Sequence, residues 1–506
     1  MKIADVVSGR AKLEGIHWVL FSAKALRVLT DQLRALLPAG ALLGTRHLRE
    51  VRFKPGRKLS AYYDVLVSTK GGEAYCVRPI QVKWALHDGV DRYEEASELA
   101  QIQAEAVRRG VAAPFLRLMG DFPEWSMQVR ASPLDTRFTQ LVRLSDPRHV
   151  RAMLADAGAS GNAGSDQHRI SDYTVTTIKY RRGRRHVLRY DPVDPEKGRT
   201  VFAKLYVGED GERAYRHENG ERAFRVARGV ADWLAEHSRG VNCLRPLAYV
   251  AEDAVVLCPR LCGVPLSNYV RRPNHDVARR LQQAGAALCT LHHLPVALTG
   301  PLGSPRDFAA EVEMVARMSN HTSVLLPEVG SAIEMLLDRA QELHERLPQE
   351  PPTFTHGDLK TEHIWVTAGG LTVMDLDSSR LADPAHDLGY FLADWQFQQS
   401  TYDQVGVEEI YQSFFAGYAP GAPKERLIRA HLYEAVEFVK CAVRRMPLFE
   451  HDWASRTAGL VERAWAVIND LQHTFGLPAG PRCAQRSGNM FHRSSHAAST
   501  DTCPPR

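Results

Sequence analysis

Strand-type and helix-type sequence are segregated along this chain, and that segregation restricts its fold more than any other feature. Between residues 171 and 260, short β-branched or alternating runs crowd together at 173–178, 186–190, 201–206, 247–250 and 254–257. One helix is expected among them, at 212–235, where Ala223, Val226, Val230, Trp233 and Leu234 recur at helical spacing. After Gly263 the periods turn helical, with helices expected at 277–292, 306–318, 332–347, 407–418, 424–445 and 456–473. A strand-rich unit followed by a helical one predicts an α+β protein with two lobes.

The segment 51–64 (VRFKPGRKLSAYYD) aligns without gaps with 178–191 (IKYRRGRRHVLRYD). Gly56/Gly183, Arg57/Arg184, Tyr63/Tyr190 and Asp64/Asp191 are identical. The first 150 or so residues therefore read as a second, degenerate copy of the strand-rich unit. In that alignment Tyr75-Cys76-Val77 falls opposite Phe202-Ala203-Lys204, so the copy has no lysine in register, Arg78 being one position off. A Gly/Ala/Ser/Asn-rich stretch, ADAGASGNAGSD, reads as a linker, and the chain beyond about residue 478 as a disordered tail. The expected division is 1–154, a linker 155–170, a strand-rich lobe 171–262, a helical lobe 263–476 and a tail 477–506.

Lys+Arg number 64 and Asp+Glu 59, a net charge of +5 over 506 residues. That excess is too dilute to argue for nucleic acid or a membrane surface. Apolar runs such as 254–257 are far shorter than the roughly 18–20 residues a membrane span needs. The eight cysteines form no CxxC pair, and no secretory signal opens the sequence. A cytoplasmic protein with free thiols is expected.

The chemistry concentrates at Phe354-Thr355-His356-Gly357-Asp358-Leu359-Lys360-Thr361-Glu362-His363, followed by Leu371-Thr372-Val373-Met374-Asp375-Leu376-Asp377. Two short strands, 364–367 and 371–374, flank a turn at Ala368-Gly369-Gly370. This hairpin brings Asp358, His363 and Asp375 to one end. Phosphoryl transfer from ATP needs such a set: one carboxylate to orient the accepting hydroxyl and take its proton, and a second, with a neutral donor, to hold magnesium on the phosphates.

These residues resemble the aminoglycoside phosphotransferase and choline-kinase-like family, the small-molecule branch of the protein-kinase-like fold. His356-Gly357-Asp358, His363 and Met374-Asp375 match its pattern in order and spacing, and Asp383-Pro384-Ala385-His386-Asp387-Leu388-Gly389 matches its Asp-Leu-Gly helix start. The resemblance covers about 171–475. It implies a bilobal fold and an ATP- and Mg2+-dependent transferase acting on a hydroxyl of a small molecule, such as an aminoglycoside, amino alcohol or sugar. The alternatives are a catalytically inactive nucleotide-binding module and a protein kinase. Only 12 positions separate Asp375 from Asp387, too few for an activation loop, which disfavours a peptide acceptor.

The resemblance assigns roles residue by residue. Asp358 is the catalytic base and Lys360 a contact to the transferring phosphate. Asp375 is the principal magnesium ligand. His363 is either a further ligand or a hydrogen-bond partner of Asp358 or of a metal-bound water. Asp377 is either a second carboxylate near the metal or a surface residue. Lys204 pairs ATP phosphates with a helix glutamate, Glu221 ahead of Glu218. Arg182, Gly183 and Arg184, with Arg181, occupy the place of the glycine-rich loop. Cys258 and Leu261 lie at the interlobe hinge that meets adenine. His356 and Asp387 brace the catalytic loop. Asp383, His386, Asp394, Trp395 and Glu408 are the acceptor candidates, and their acidity would suit a cationic acceptor. The amino-terminal copy is expected not to bind ATP productively and to serve docking or substrate specificity. Oligomeric state is not indicated.

Overall fold

A computed structural model describes residues 1–68, 75–86, 92–159, 171–206, 215–273, 275–299, 302, 306–401 and 407–474. The expected tail, and the linker beyond Ala159, lie outside the described residues.

Helices α1 (Ile3–Ser8), α2 (Lys12–Phe21) and α3 (Ala23–Ala35) precede a sheet built from β1 (Leu42–Lys54), β2 (Lys58–Ser68), β3 (Tyr75–Ala85), β4 (Met119–Phe122) and β5 (Met127–Ala131). Helix α4 (Arg92–Arg108) connects β3 to β4. After α5 (Leu141–Leu144) and α6 (Pro147–Ala159) come β6 (Tyr173–Arg181), β7 (Arg185–Pro192), β8 (Val201–Leu205), helix α7 (Tyr215–His237), β9 (Val241–Cys243), β10 (Ala248–Val250) and β11 (Val255–Pro259).

The two sheets repeat each other strand for strand. The first runs β1-β2-β3-β5-β4 and the second β6-β7-β8-β11-β10, antiparallel throughout, each with one helix after its third strand. The first-hairpin registers coincide: Lys54 faces Lys58 as Arg181 faces Arg185. Both turns bend at a glycine in the left-handed region, Gly56 at φ 71° and Gly183 at φ 69°, a conformation that favours glycine. The echo in the sequence is thus an echo in backbone geometry.

That register corrects the ungapped alignment in the third strand. Ser60 is the counterpart of Val187, and Ser60 pairs with Lys83 just as Val187 pairs with Lys204. Lys83, not Val77 or Arg78, therefore stands at the position of Lys204. The connection between the second and third strands differs in length between the copies, so an alignment without gaps slips there.

The boundary near residue 154 is also less sharp than expected. Phe138, Leu141, Leu144, Val150 and Met153 form one core with Tyr180, Leu188, Tyr190, Ala203, Leu205, Val255 and Leu257 of the second sheet. The apolar residues of α5 and α6 cover the sheet face that α7 leaves open. In that core Val255 and Leu257 are both wholly buried. Buried tyrosines of the sheet reach back to the same segment, Tyr180 Oη donating to the Leu134 carbonyl (2.7 Å) and Tyr190 Oη to that of Leu144 (3.1 Å).

The helical lobe contains α8 (Ser267–Arg271), α9 (Val277–His292), α10 (Phe308–Leu325), α11 (Pro327–Glu345), α12 (Ala385–Thr401), α13 (Val407–Tyr418), α14 (Lys424–Arg444) and α15 (Trp453–Thr474). Helix α14 runs through its centre, with every residue from Ala435 to Val443 buried. Phe354, Phe391, Phe414 and Phe438 are wholly buried, each contributing on the order of 2–3 kcal/mol by leaving water. Two small sheets are set into this lobe. One joins β12 (Val264–Pro265), β14 (Ile364–Thr367) and β15 (Gly370–Val373) to β9, which runs parallel to β15. The other pairs β13 (Thr353–Thr355) with β16 (Arg380–Ala382). Strand β9 is not among the elements expected from the sequence: three residues are too few to show a period. The amino-terminal helices rest on the helical lobe, where His17 meets His451 edge to face at 5.5 Å between ring centroids.

Candidate active site

The loop after β13 carries Asp358, and its course is held by one buried carboxylate. Asp387, wholly buried near the start of α12, accepts the backbone N–H of His356 (2.6 Å) and of Gly357 (2.9 Å). His292 and His386 lie on the same carboxylate at 3.3 and 3.4 Å. Burial alone would raise the Asp387 pKa; the hydrogen bonds from these histidines hold it well below the ordinary carboxylate range. His356 places Nε2 3.0 Å from the Met374 carbonyl, tying the loop to the end of β15. Gly357 has φ 77°, and a Cβ there would collide with the Ser378 carbonyl oxygen. The loop therefore passes against the 375–378 turn with no room for a side chain.

Asp358 accepts hydrogen bonds from Tyr390 Oη and from Lys360 Nζ, the latter at 3.0 Å. Burial would raise its pKa, but Lys360, His363 and Tyr390 keep the carboxyl well below its usual value. His363 places Nδ1 2.8 Å from the Asp358 carbonyl oxygen and Nε2 3.5 Å from Asp375 Oδ2. It stands between the two carboxylates.

Asp375 itself adopts φ 65°, ψ 51°, a left-handed conformation that is rare outside glycine and tolerated best by Asn and Asp. That turn starts the short 376–378 helix, and Asp375 and Asp377 there share the same cations. Lys204 Nζ lies 2.7 Å from Asp375 Oδ1 and 3.3 Å from Asp377 Oδ2. Arg185 donates to Asp375 (3.1 Å) and to Asp377 (2.9 Å), and Tyr206 Oη donates to Asp377 Oδ1 (3.0 Å). Burial would lower the Lys204 ammonium; the two carboxylates outweigh it and raise its pKa. The same cations hold Asp375 well below the carboxylate range against burial, whereas burial and the charge of Asp375 leave Asp377 raised.

Several expected contacts are not made. Glu221 is exposed on α7, and Lys204 turns instead to the carboxylates across the cleft; the side chains of Glu218 and Glu408 lie outside the described residues. The acidic acceptor candidates are already engaged. Asp383 is paired with Arg429 (2.6 Å), and Asp394 is wholly buried against Thr361 (2.8 Å) and Arg445. His386 and Trp395 are buried too. Asp383 and Asp394 are consumed by these pairs, and the four residues do not form an exposed acidic surface. Arg182, Gly183 and Arg184 form the β6–β7 turn, and that turn is gripped by the amino-terminal block: Asp135 accepts the Gly183 N–H (2.6 Å) and lies 2.8 Å from His186 Nε2. Cys258 sits at the end of β11, its thiol pushed up to about 11 by burial, and Leu261 is half-buried in the crossing between the lobes.

Sequence reasoning missed Arg185, Tyr206 and Tyr390. Arg185 follows the arginines already singled out, and Tyr206 lies two residues after Lys204, where strand alternation puts it on the same face. Nothing local marks Tyr390, which reaches Asp358 from α12.

A model of the phosphotransferase enzyme family (APH) matches residues 196–428. No curated protein matches the chain. Among solved structures, the chain is similar to the GDP and kanamycin complex of APH(2")-IIia, at 17% identity over 63% of this chain and 98% of that one, TM-score 0.43. It is also similar to a choline/ethanolamine kinase family protein from Mesorhizobium loti, at 16% identity over 65% and 96%, TM-score 0.42. A third is macrolide 2'-phosphotransferase type I, at 15% identity over 62% and 96%, TM-score 0.38. The segment 196–428, which holds the Asp358 loop and the carboxylate hairpin, is similar to the phosphotransferase enzyme family.

Proposed function

We propose that the protein transfers the γ-phosphoryl group of ATP to a hydroxyl of a small molecule, with magnesium. The observation that carries this reading is the meeting of Lys204, Asp375 and Asp377 within hydrogen-bond distance, with His363 bridging them to the Asp358 loop. Magnesium takes hard oxygen ligands and needs only one or two protein carboxylates beside phosphate oxygens and water. Asp375 and Asp377 fit that demand. Among the described residues no cluster of three or more His, Cys, Asp or Glu ligands converges, so the protein would supply only part of the coordination. Bound there, magnesium would neutralise charge on the phosphates.

The chain's own residues then divide the work. Lys204 and Arg185 are placed to leave the carboxylates for phosphate oxygens once nucleotide enters. Asp358 orients the acceptor hydroxyl. Its depressed pKa makes it a weak base, which suits a loose transition state in which little proton transfer is needed before the phosphoryl group has moved. The bond from the γ-phosphorus to the bridging oxygen breaks and leaves ADP. A new bond forms to the acceptor oxygen, whose proton passes to Asp358. Lys360 stands beside that carboxylate, in reach of the charge that develops.

The test is release of the nucleoside diphosphate, ADP from ATP or GDP from GTP, with magnesium over a panel of amino sugars, amino alcohols, sugars and their phosphates. Wild-type turnover of at least one acceptor, abolished in Asp358→Asn, supports the reading. Equal background in both proteins on every acceptor, with nucleotide still bound, refutes it.

A further inference from the structure

Behind the catalytic loop lies a cluster of charged side chains that the phosphotransferase reading leaves without a task. Lys440 of α14 is buried, and its ammonium stands 2.9 Å from Glu311 of α10 and 3.0 Å from Glu437, one turn earlier on α14. Both glutamates are buried too. Glu311 has further cations at hand, Arg306 at 3.7 Å and Arg380 at 3.8 Å. Burial would raise its carboxyl, but Lys440, His386 and Arg380 bring it down to about 2; at Glu437, burial outweighs Lys440 and the carboxyl is raised.

Buried ions of this kind are costly to desolvate, and apolar side chains of similar volume often serve stability as well or better. What the charge adds here is its position. Lys440 Nζ lies 4.5 Å from the centroid of the Tyr390 ring, within the range at which an ammonium is drawn to an aromatic face. Tyr390 and both glutamates line the same small cavity. Gly389, the residue before Tyr390, allows the approach: a Cβ there would collide with the Ala430 carbonyl oxygen, so α12 passes α14 with no room for a side chain.

Tyr390 carries the effect to Asp358, its Oη donating to Asp358 Oδ1. Lys360 Nζ sits 2.9 Å from Oδ1 and 3.0 Å from Oδ2, so it does not tell the two oxygens apart. His363 Nδ1 lies 3.9 Å from Oδ2. The phenol therefore makes the carboxylate unsymmetrical: Oδ1 is taken, and Oδ2, on the side of His363, is left for an acceptor hydroxyl. A cation beside the ring draws electron density from it and strengthens the O–H as a donor.

We propose that Tyr390 is a positioning residue that selects Asp358 Oδ2 for the acceptor, and that the Glu311–Lys440–Glu437 triad holds and polarises it. This rests on the phosphotransferase reading above, in which Asp358 orients the accepting hydroxyl.

Tyr390→Phe keeps the ring and removes only the hydroxyl. It is expected to lower kcat about tenfold to a hundredfold, as a misplaced reacting group does, with KM for ATP within about twofold and the urea midpoint unmoved. Lys440→Met is made together with Glu437→Gln, which removes one charge of each sign and leaves Glu311 to Arg306 and Arg380. That pair should lower kcat in the same sense, whereas Lys440→Arg, which keeps a cation able to stack on the ring, should retain most of it. Added to Tyr390→Phe, the pair should lower kcat by no more than about twofold further, because it acts through the phenol. A second readout needs no turnover. Carbodiimide labelling of Asp358, followed by mass spectrometry, should run several-fold faster in Tyr390→Phe once Oδ1 is freed, with wholly buried Asp387 as the internal control. A wild-type kcat in Tyr390→Phe overturns the proposal and leaves the phosphotransferase reading standing, as does a lowered urea midpoint with kcat unmoved. Losses that multiply in the combined variant overturn the part given to the triad. If the wild type turns over no acceptor, the phosphotransferase reading falls, and the labelling decides alone: an unchanged rate overturns the positioning of Asp358, and a faster one supports it.

Discussion

Removing the carboxylate of Asp387 tests how the catalytic loop is held. In Asp387→Asn, one oxygen remains to accept from His356 or Gly357, and the new amide N–H₂ faces the other backbone N–H. One charge-assisted bond is lost and a buried donor is left without a partner. Such a loss costs about 1.5–3 kcal/mol, and Asp387→Ala, which removes both bonds, about twice that. The loop carrying Asp358 should loosen. A displacement of about 1 Å at the reacting groups lowers turnover on the order of a hundredfold. The assays are hydrogen exchange of the His356 and Gly357 amides, the urea midpoint of the helical lobe, and ADP release. The charge also has a pH signature. Because the folded pKa of Asp387 lies well below its unfolded value of about 4, its contribution to stability is complete above that unfolded value. It fades as pH falls toward the lower folded pKa, and the wild-type midpoint should drop over that acid range while that of Asp387→Ala stays flatter. Unchanged amide protection and an unchanged midpoint in Asp387→Asn would refute the bracing role.

Three further outcomes follow from the same geometry. Lys204→Met removes the ammonium that Asp375 and Asp377 share, leaving them Arg185, Tyr206 and His363, and should raise KM for ATP and lower kcat by about tenfold or more each, measured by steady-state ADP release. Gly357→Ala forces a side chain into a left-handed residue against the Ser378 carbonyl, and should destabilise by about 1–3 kcal/mol from strain alone, read by urea denaturation. Asp135→Ala frees the Gly183 amide and His186, and should raise KM for ATP several-fold while kcat at saturating ATP stays within about twofold, since the β6–β7 turn loses its hold but the Asp358 loop keeps Asp387.

The catalytic loop and the carboxylate hairpin were legible because their chemistry is local. His356-Gly357-Asp358, His363 and Asp375 lie within 20 residues, and a hairpin that short leaves little freedom in where its ends go. The two lobes were legible because strand and helix leave different periods in the chain. The echo between 51–64 and 178–191 disclosed a repeated hairpin, and the fold extends that repeat to a whole sheet. What stayed hidden depends on distance along the chain. Tyr390, 32 residues after Asp358, reaches it only once α12 packs beneath the loop. Lys83 escapes an ungapped alignment because the connection between the second and third strands changes length between the copies, and only strand pairing restores the register. A helix face is all that points Glu221 toward Lys204, and the ammonium finds two carboxylates across the cleft instead.

The sequence by itself determined which groups can do chemistry here: a carboxylate loop, a second carboxylate pair and a strand lysine, each specified by near neighbours. Tertiary structure alone decided which charges remain available. Asp383 and Asp394 look in sequence like a reception for a cation, and they are consumed by Arg429 and Arg445 from α14 and the residue that follows it. Charge acts through space and not along the chain, so the sign of a binding site is settled only when distant segments meet.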